Sequence, residues 1–345
     1  MEDGFHTATA RPDAKPQTRN HAAMTVYLNG EFLPESAACL SPKDRGFLFS
    51  DGVYEALCAY DGRLFLADEH FARLQRSLRA LRIDLGLTAE GFAGIARALV
   101  QQNGLADRHA TVYLQVTRGA PPQRRHAFPD TPTEPTVYAT ASAYDLPEEK
   151  WERGVKILLC PDERWGRCDI KSVSLLPNVL ANERAMNAGA FEAVMVRAEE
   201  KEERDAGGVV TEGSHSSFAA VVDGTVVTHP LGPQILPGVT RGLVLQLARA
   251  AGRPVREAPL PLARLPEADE LFLVGTTTGV MPVVEVEAEA AVRPDEHAGG
   301  TSWRVGDGRP GPVTRQLQEA FRDVIFSEQQ TTLDGSDAAF LEAAA

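Results

Sequence analysis

Apolar and polar residues recur along this chain in patterns that mark most of its elements. Two apolar runs, MTVYL and EFL, flank Asn29-Gly30, and that dipeptide in that setting predicts a hairpin. The same reading gives a second hairpin, VYEALCAY and RLFL, turning at Asp61-Gly62, and a third, FAAVV and TVVTH, turning at Asp223-Gly224. From Asp68 the spacing becomes helical, with Phe71, Leu74, Leu78, Leu81 and Leu85 on one face. Thr88 is placed to cap a further helix through Phe92, Ile95, Leu99 and Val100, which Asn103-Gly104 ends. TVYLQVT then alternates, with Val112, Leu114 and Val116 on one side, as a half-buried strand does.

The pattern restarts after ASAYDLPEEK. VKILLC and FEAVMV read as strands, and NVLANERAMNAG between them as a helix closed by Gly189. TRGLVLQLARAAG is a helix with Thr240 at its N-cap and Gly252 past its end. ELFLVGTTTGVMPVVEVE gives strand, small-residue loop and strand, and Pro312 opens a last amphipathic helix that runs to Phe326. Hairpins mixed with helices, rather than strict βαβ alternation, predict an α+β fold. The organisation expected is a disordered extension over 1–23 with Met24 as an alternative start, a smaller α+β domain over 24–143, a linker over 144–150, a larger domain over 151–326, and a flexible acidic tail over 327–345. The charge-dense stretch RAEEKEERDAGG reads as an exposed loop.

Composition narrows the partners. The 345 residues are 43% hydrophobic and 24% charged, as in soluble globular proteins, and the length suggests two domains. A formal charge of −13 argues against nucleic acid or an anionic membrane, both of which select basic surfaces. The tail after Phe326 contributes four acids and no base, so part of this acidity is peripheral. No apolar run is long enough for a membrane helix, and the N-terminus lacks the basic and apolar regions of a signal peptide. Four cysteines without a CxxC indicate neither a disulfide framework nor a zinc knuckle, so a cytoplasmic setting is expected.

Several short segments could hold anions or do chemistry. ILPGVTRG delivers Val239, Thr240 and Arg241 to a helix start, where free N–H groups and the helix dipole favour a phosphate, although an ordinary cap reads the same way. Gly275-Thr276-Thr277-Thr278-Gly279 could curl amides and hydroxyls round an anion, or simply join two strands. Arg73 shares a helix with Phe71 and Leu74. Lys171 has apolar neighbours, the setting in which a lysine becomes a nucleophilic amine; a surface lysine is the plainer account. Glu212 could pair with a ring nitrogen, and Arg124 with His126, on a loop stiffened by two prolines, suits a substrate carboxylate. Ser214-His215-Ser216 superficially suggests a hydrolase, but adjacent residues seldom face one another productively and no elbow glycines flank them. A phosphate cradle, an amine, an acid for a pyridine nitrogen and a carboxylate trap are together what pyridoxal 5′-phosphate needs to act on an amino acid.

DRGFLFSDGVYEAL, YLQVTRG, RWGRCDIKSVSLLPNVLA, VTEGSHSSF, ILPGVTR and DELFLVGTTTGVMPVVEVE, in that order from about Thr25 to Phe326, resemble the class IV, fold type IV, pyridoxal-phosphate aminotransferases. Within that group the chain is most similar to the enzymes acting on D-amino acids. The resemblance implies a homodimer with active sites near the interface, a larger pseudo-barrel domain holding the cofactor, and amino acids and 2-oxo acids as partners. It makes Lys171 the residue that binds the cofactor and shuttles the proton, and Glu212 the acid on the pyridine nitrogen. Arg73, Val239, Thr240 and Thr276 fall at phosphate positions, and Leu236 lies behind the ring. Tyr54, Arg124 and His126 match the group that traps the α-carboxylate, the last two reaching across the dimer. The chain departs from the family at Gly275 and Ser217, often Ser and Asn, and at Ala56 and Cys58, where a valine and a lysine face the substrate side. Branched-chain L-amino-acid transamination, aminodeoxychorismate lyase activity and a catalytically silent cofactor-binding protein are the alternatives.

Overall fold

The computed structural model describes residues 24–197, 208–292 and 301–327. The expected N-terminal extension, most of the charge-dense stretch and the tail beyond Ser327 lie outside these residues.

All three Asx-Gly pairs predicted to turn hairpins do so, and for one reason. Asn29 and Gly30, Asp61 and Gly62, and Asp223 and Gly224 all have positive φ, the geometry a two-residue turn needs to match strand twist. They join β1 (Thr25–Leu28) to β2 (Glu31–Pro34), β3 (Gly52–Tyr60) to β4 (Arg63–Leu64), and β10 (Ser217–Val222) to β11 (Thr225–Thr228). With β5 (Ala110–Thr117) and β6 (Thr136–Ala143), the first four strands form an antiparallel sheet in the order β2-β1-β6-β5-β3-β4. Before β3, a short α1 (Arg45–Phe49) is capped by the Asp44 carboxylate.

Val112, Leu114 and Val116 are fully buried on the face covered by α2 (Ala67–Ala80) and α3 (Ala89–Gln102). Phe71 stacks on Phe92 between the two helices, and Thr88 caps α3 through its hydroxyl. The face predicted for α2 is right, but the helix ends at Ala80; Leu81 and Leu85 join the same core from the turn beyond it.

Of the stretch read as a linker, residues 144–147 are irregular and Glu148 begins α4 (Glu148–Arg153). Among the described residues the second sheet holds ten strands, including β7 (Val155–Pro161), β8 (Glu192–Arg197), β9 (Val209–Gly213), β12 (Val255–Glu257), β13 (Leu260–Pro261), β14 (Glu270–Gly275) and β15 (Gly279–Ala288). Its order is β12-β11-β10-β14-β15-β7-β8-β9-β13, with β16 (Thr301–Arg304) on β15. The sheet curls into a half-barrel, and the Gly213 N–H reaches the Ser216 carbonyl (2.7 Å) across the turn between β9 and β10. These strands bury both faces. Leu271 and Leu273 face the inner core, whereas Phe272 and Val274 meet α6 (Val239–Ala250) and α7 (Pro312–Phe326). Leu158, Cys160, Ala193 and Met195 meet α5 (Leu176–Asn187). Two-sided burial is why these strands read as unbroken apolar runs while TVYLQVT alternates.

The two sheets share a seam. Cys58 and Tyr60 of the first, with Leu66 just after β4, lie in one cluster with Phe272 of the second and Leu317 and Phe321 of α7. Phe65 meets Phe321 edge-on (6.0 Å), and the Arg63 guanidinium donates to the Ser327 carbonyl (2.8 Å).

Candidate active site

Lys171 sits where the two halves of the chain are stitched together. Residues 171–173 lie against the start of β3: the Tyr54 N–H donates to the Lys171 carbonyl (3.0 Å) and the Val173 N–H to that of Gly52 (3.1 Å). The Lys171 N–H donates to the Ser77 hydroxyl of α2 (3.2 Å). Fixed from both sides, the side chain projects into a cleft of about 780 Å³, counting its space open to solvent, with Nζ 4.2 Å from the centre of the Tyr54 ring. Glu212, Leu236, Val239, Thr240, Thr276 and Arg73 line the same cleft.

Glu212 is buried on β9. Burial raises its carboxyl above the ordinary value, and the Arg164 guanidinium bonded to it opposes that rise. The Leu236 N–H donates to both oxygens (3.1 and 3.2 Å), so Leu236 serves the cleft through its backbone as well as its side chain. Arg164 is held in turn by both oxygens of Asp162 (2.9 Å each) and by the Gln234 carbonyl (3.1 Å). The sequence reading missed Arg164. Its signal was weak, an arginine 48 positions from its partner in a loop of mixed charge.

The two expected anion-binding turns both open on the cleft. Gly238, not Thr240, is the N-cap of α6: Thr240 is the second helical residue, so its amide is one of the unbonded donors of the first turn and its hydroxyl is not spent on capping. A Cβ on Gly238 would lie 2.7 Å from the Ser217 hydroxyl, so glycine lets this turn sit close to β10. Arg73 is buried with three of its five N–H groups committed, two to Glu55 (2.7 and 2.8 Å) and one to the Pro237 carbonyl (2.9 Å). It thereby ties α2 to the turn that leads into α6. His70 completes the group, its Nδ1 2.8 Å from Glu55.

Glu192 was also missed. This fully buried acid accepts from the N–H groups of His215 (2.7 Å) and Ser216 (3.0 Å) and from the Ser216 hydroxyl (2.8 Å), which fixes the turn after Glu212. Contrary to expectation, Ser214 and His215 do touch, with Oγ 3.2 Å from Nδ1, but both also lean on Glu192 and serve the turn.

Tyr54 lines the cleft; Arg124 and His126 do not. Both are exposed on the loop after β5 and pack on Phe49, the Arg124 guanidinium at 4.6 Å and the His126 ring at 5.3 Å. Arg45 anchors that loop from beneath, donating to the carbonyls of Arg125 (2.5 Å), His126 (3.2 Å) and Ala127 (3.3 Å) while paired with Asp51. Ala56 and Cys58, expected on the substrate side, are absent from the cleft lining, and Cys58 is fully buried in the seam.

The sequence profile of the family described as "Amino-transferase class IV" matches residues 52–286. The chain belongs to the class IV aminotransferases. Among relatives of this aminotransferase, the D-alanine aminotransferase of Staphylococcus haemolyticus is 39% identical over 302 residues, 88% of this chain and 98% of that one. That of Bacillus licheniformis is 36% identical over 310 residues, covering 90% and 100%. The solved branched-chain amino acid aminotransferase of Escherichia coli matches with a TM-score of 0.75 at 23% identity, covering 91% of this chain and 97% of that one, a likeness of fold.

Pyridoxal phosphate is the cofactor of class IV aminotransferases, and the cleft fits it on its own chemistry. It combines one amine, one acid with acceptor capacity left on Oε2, and two turns whose small residues let amides approach an anion. Among the described residues no helix is long and apolar enough to cross a membrane.

Proposed function

We propose that this chain exchanges amino groups between D-amino acids and 2-oxo acids, with D-alanine and 2-oxoglutarate giving pyruvate and D-glutamate as the type reaction. The observation that carries the reading is one cleft in which Lys171, Glu212 and two anion-binding turns converge, in a chain 36–39% identical over most of its length to D-alanine aminotransferases. When bound, pyridoxal phosphate supplies an aldehyde for the substrate's amine and a cationic ring that takes up the electron pair left by proton removal. Nζ of Lys171 holds the cofactor at rest. The same Nζ, freed when substrate is bound, would be the base that takes the α-proton and the acid that gives it back. The Glu212 carboxylate holds the proton on the ring nitrogen, and Arg164 beside it favours the ionised form. Val239, Thr240, Thr276 and the free N–H groups of Arg73 would hold the phosphate, and Leu236 would contact the ring. Two half-reactions through one cleft give ping-pong kinetics.

Tyr54 supplies part of the carboxylate trap, and Arg124 and His126 supply the rest from a second copy of the chain. Their exposure outside their own cleft supports this, as does an apolar hollow lined by Leu40, Pro42, Phe47, Tyr113, Tyr138 and Val173. Of these, Phe47 is 80% exposed. The smaller (24–143) and larger (151–326) domain reading is supported by the two sheets, each with its own core. Four free thiols fit a cytoplasmic protein.

The test is spectroscopic. D-Alanine added to the pyridoxal phosphate-loaded chain should convert the bound cofactor to pyridoxamine phosphate, and L-valine should not. Conversion by L-valine alone would overturn the D-specific reading in favour of a branched-chain activity.

A further inference from the structure

The turn between β14 and β15 carries a second level of organisation behind the cleft. The carbonyls of Thr276, Thr277 and Thr278 each accept one side-chain hydrogen bond, and each donor comes from a different element. The Cys58 thiol of β3 donates to Thr276 (3.4 Å), the Tyr144 hydroxyl to Thr277 (2.5 Å), and the Trp151 indole N–H of α4 to Thr278 (2.8 Å). None of the three donors lines the cleft. Burial pushes the Cys58 thiol up to about 12, so it stays protonated and able to donate; burial likewise raises the Tyr144 phenol.

A planar peptide holds its C=O and the following N–H in opposite directions. Carbonyls pinned on the outer side therefore turn the N–H groups of Thr277 and Thr278 the other way and keep three partial negative charges off an anion in the cleft. Among the described residues, the amides of Thr276 and Thr277 have no acceptor. Gly275 supplies no hydroxyl here, so this turn relies on backbone orientation more than a serine-bearing one would. Trp151 also packs against Gly279, where a Cβ would come within 2.4 Å of the indole.

We propose that Cys58, Tyr144 and Trp151 are positioning residues of the phosphate cradle, which fix the peptide planes of residues 276–278 by holding their carbonyls outward. The proposal rests on the cleft's binding pyridoxal phosphate. It predicts a selective loss: removing a donor weakens what holds the phosphate and spares what holds the ring.

The experiment compares the full chain, freed of cofactor, with its Cys58→Ala, Cys58→Ser and Tyr144→Phe variants. Dissociation constants are measured for pyridoxal 5′-phosphate and for pyridoxal, and inorganic phosphate is tested for its shift of Tm. Cys58→Ala and Tyr144→Phe are each expected to weaken pyridoxal phosphate binding by about three- to tenfold, the effect of one hydrogen bond. Pyridoxal binding should change less than about twofold by the same measure, and the stabilisation by phosphate should shrink. Cys58→Ser, whose hydroxyl can still donate, should recover most of the affinity. Equal losses for the two ligands, or no loss for either, would overturn the proposal. Wild-type chain that binds neither would instead overturn the proposed function. Trp151 is buried and its replacement risks the fold, so the half-buried Tyr144 carries the test.

Discussion

Glu55 is fully buried and charged because Arg73 and His70 face it. Burial alone would raise its carboxyl, yet the arginine and the histidine bring it down from 4.5 to about 2. Burial moves His70 below its ordinary 6.5. In both cases the unfolded chain takes up protons first, so acid favours unfolding. Stability should fall as pH drops below about 6.5 through His70, and again between about 4.5 and 2 through Glu55, read as the urea midpoint across pH. Glu55→Gln should flatten the lower limb; an unchanged limb would refute the assignment. Lys171→Ala should cut turnover by at least about 10³-fold while some cofactor still binds without a covalent link. Near-normal turnover would remove Lys171 from its role. Arg164→Leu leaves two buried carboxylates short of a cation and should destabilise the chain by about 3–5 kcal/mol. It should also slow α-proton removal, measured with α-deuterated D-alanine. Lys171 and Glu212 could be proposed together from the sequence because each stands in a distinctive local string, and both line the cleft. Arg164, Glu55 and Glu192 were not, since what they do depends on partners 15 to 48 positions away.

At the level of elements, local chemistry was read well and boundaries less well. The Asx-Gly turns depend on two residues each, and all of them formed. The starts of α5 and α6 depend on what lies beyond the helix: α5 begins at Leu176, ahead of the segment read as helical, and α6 is capped by Gly238. Glu270 shows the same limit. It stands at the head of an apolar strand and accepts from the N–H groups of Val313 (2.8 Å) and Thr314 (2.7 Å), so it caps α7 from a separate element. Nothing within β14 announces that partner. Glu270→Ala should cost about 1–3 kcal/mol in urea unfolding and leave the affinity for pyridoxal phosphate unchanged. A loss of affinity without a loss of stability would place Glu270 in the site rather than under the helix.

For the whole molecule, the exposed Phe47 predicts an interface. Under the proposed assembly, Phe47→Asp should shift the chain toward monomer in sedimentation and raise KM for D-alanine by about tenfold or more, because the proposed carboxylate trap draws Arg124 and His126 from the second copy. The absorbance of bound cofactor should persist; a dimer with normal KM would separate the hollow from assembly. The seam between the sheets has a consequence for synthesis. Cys58, Tyr60 and Leu66 leave the ribosome early, but Leu317 and Phe321, which cover them, come from the last described helix. Until about 260 further residues have been made, the first sheet keeps an uncovered apolar strip and must avoid aggregation without its own lid. Translation that stops before α7 should therefore release a sticky chain, however complete its first sheet.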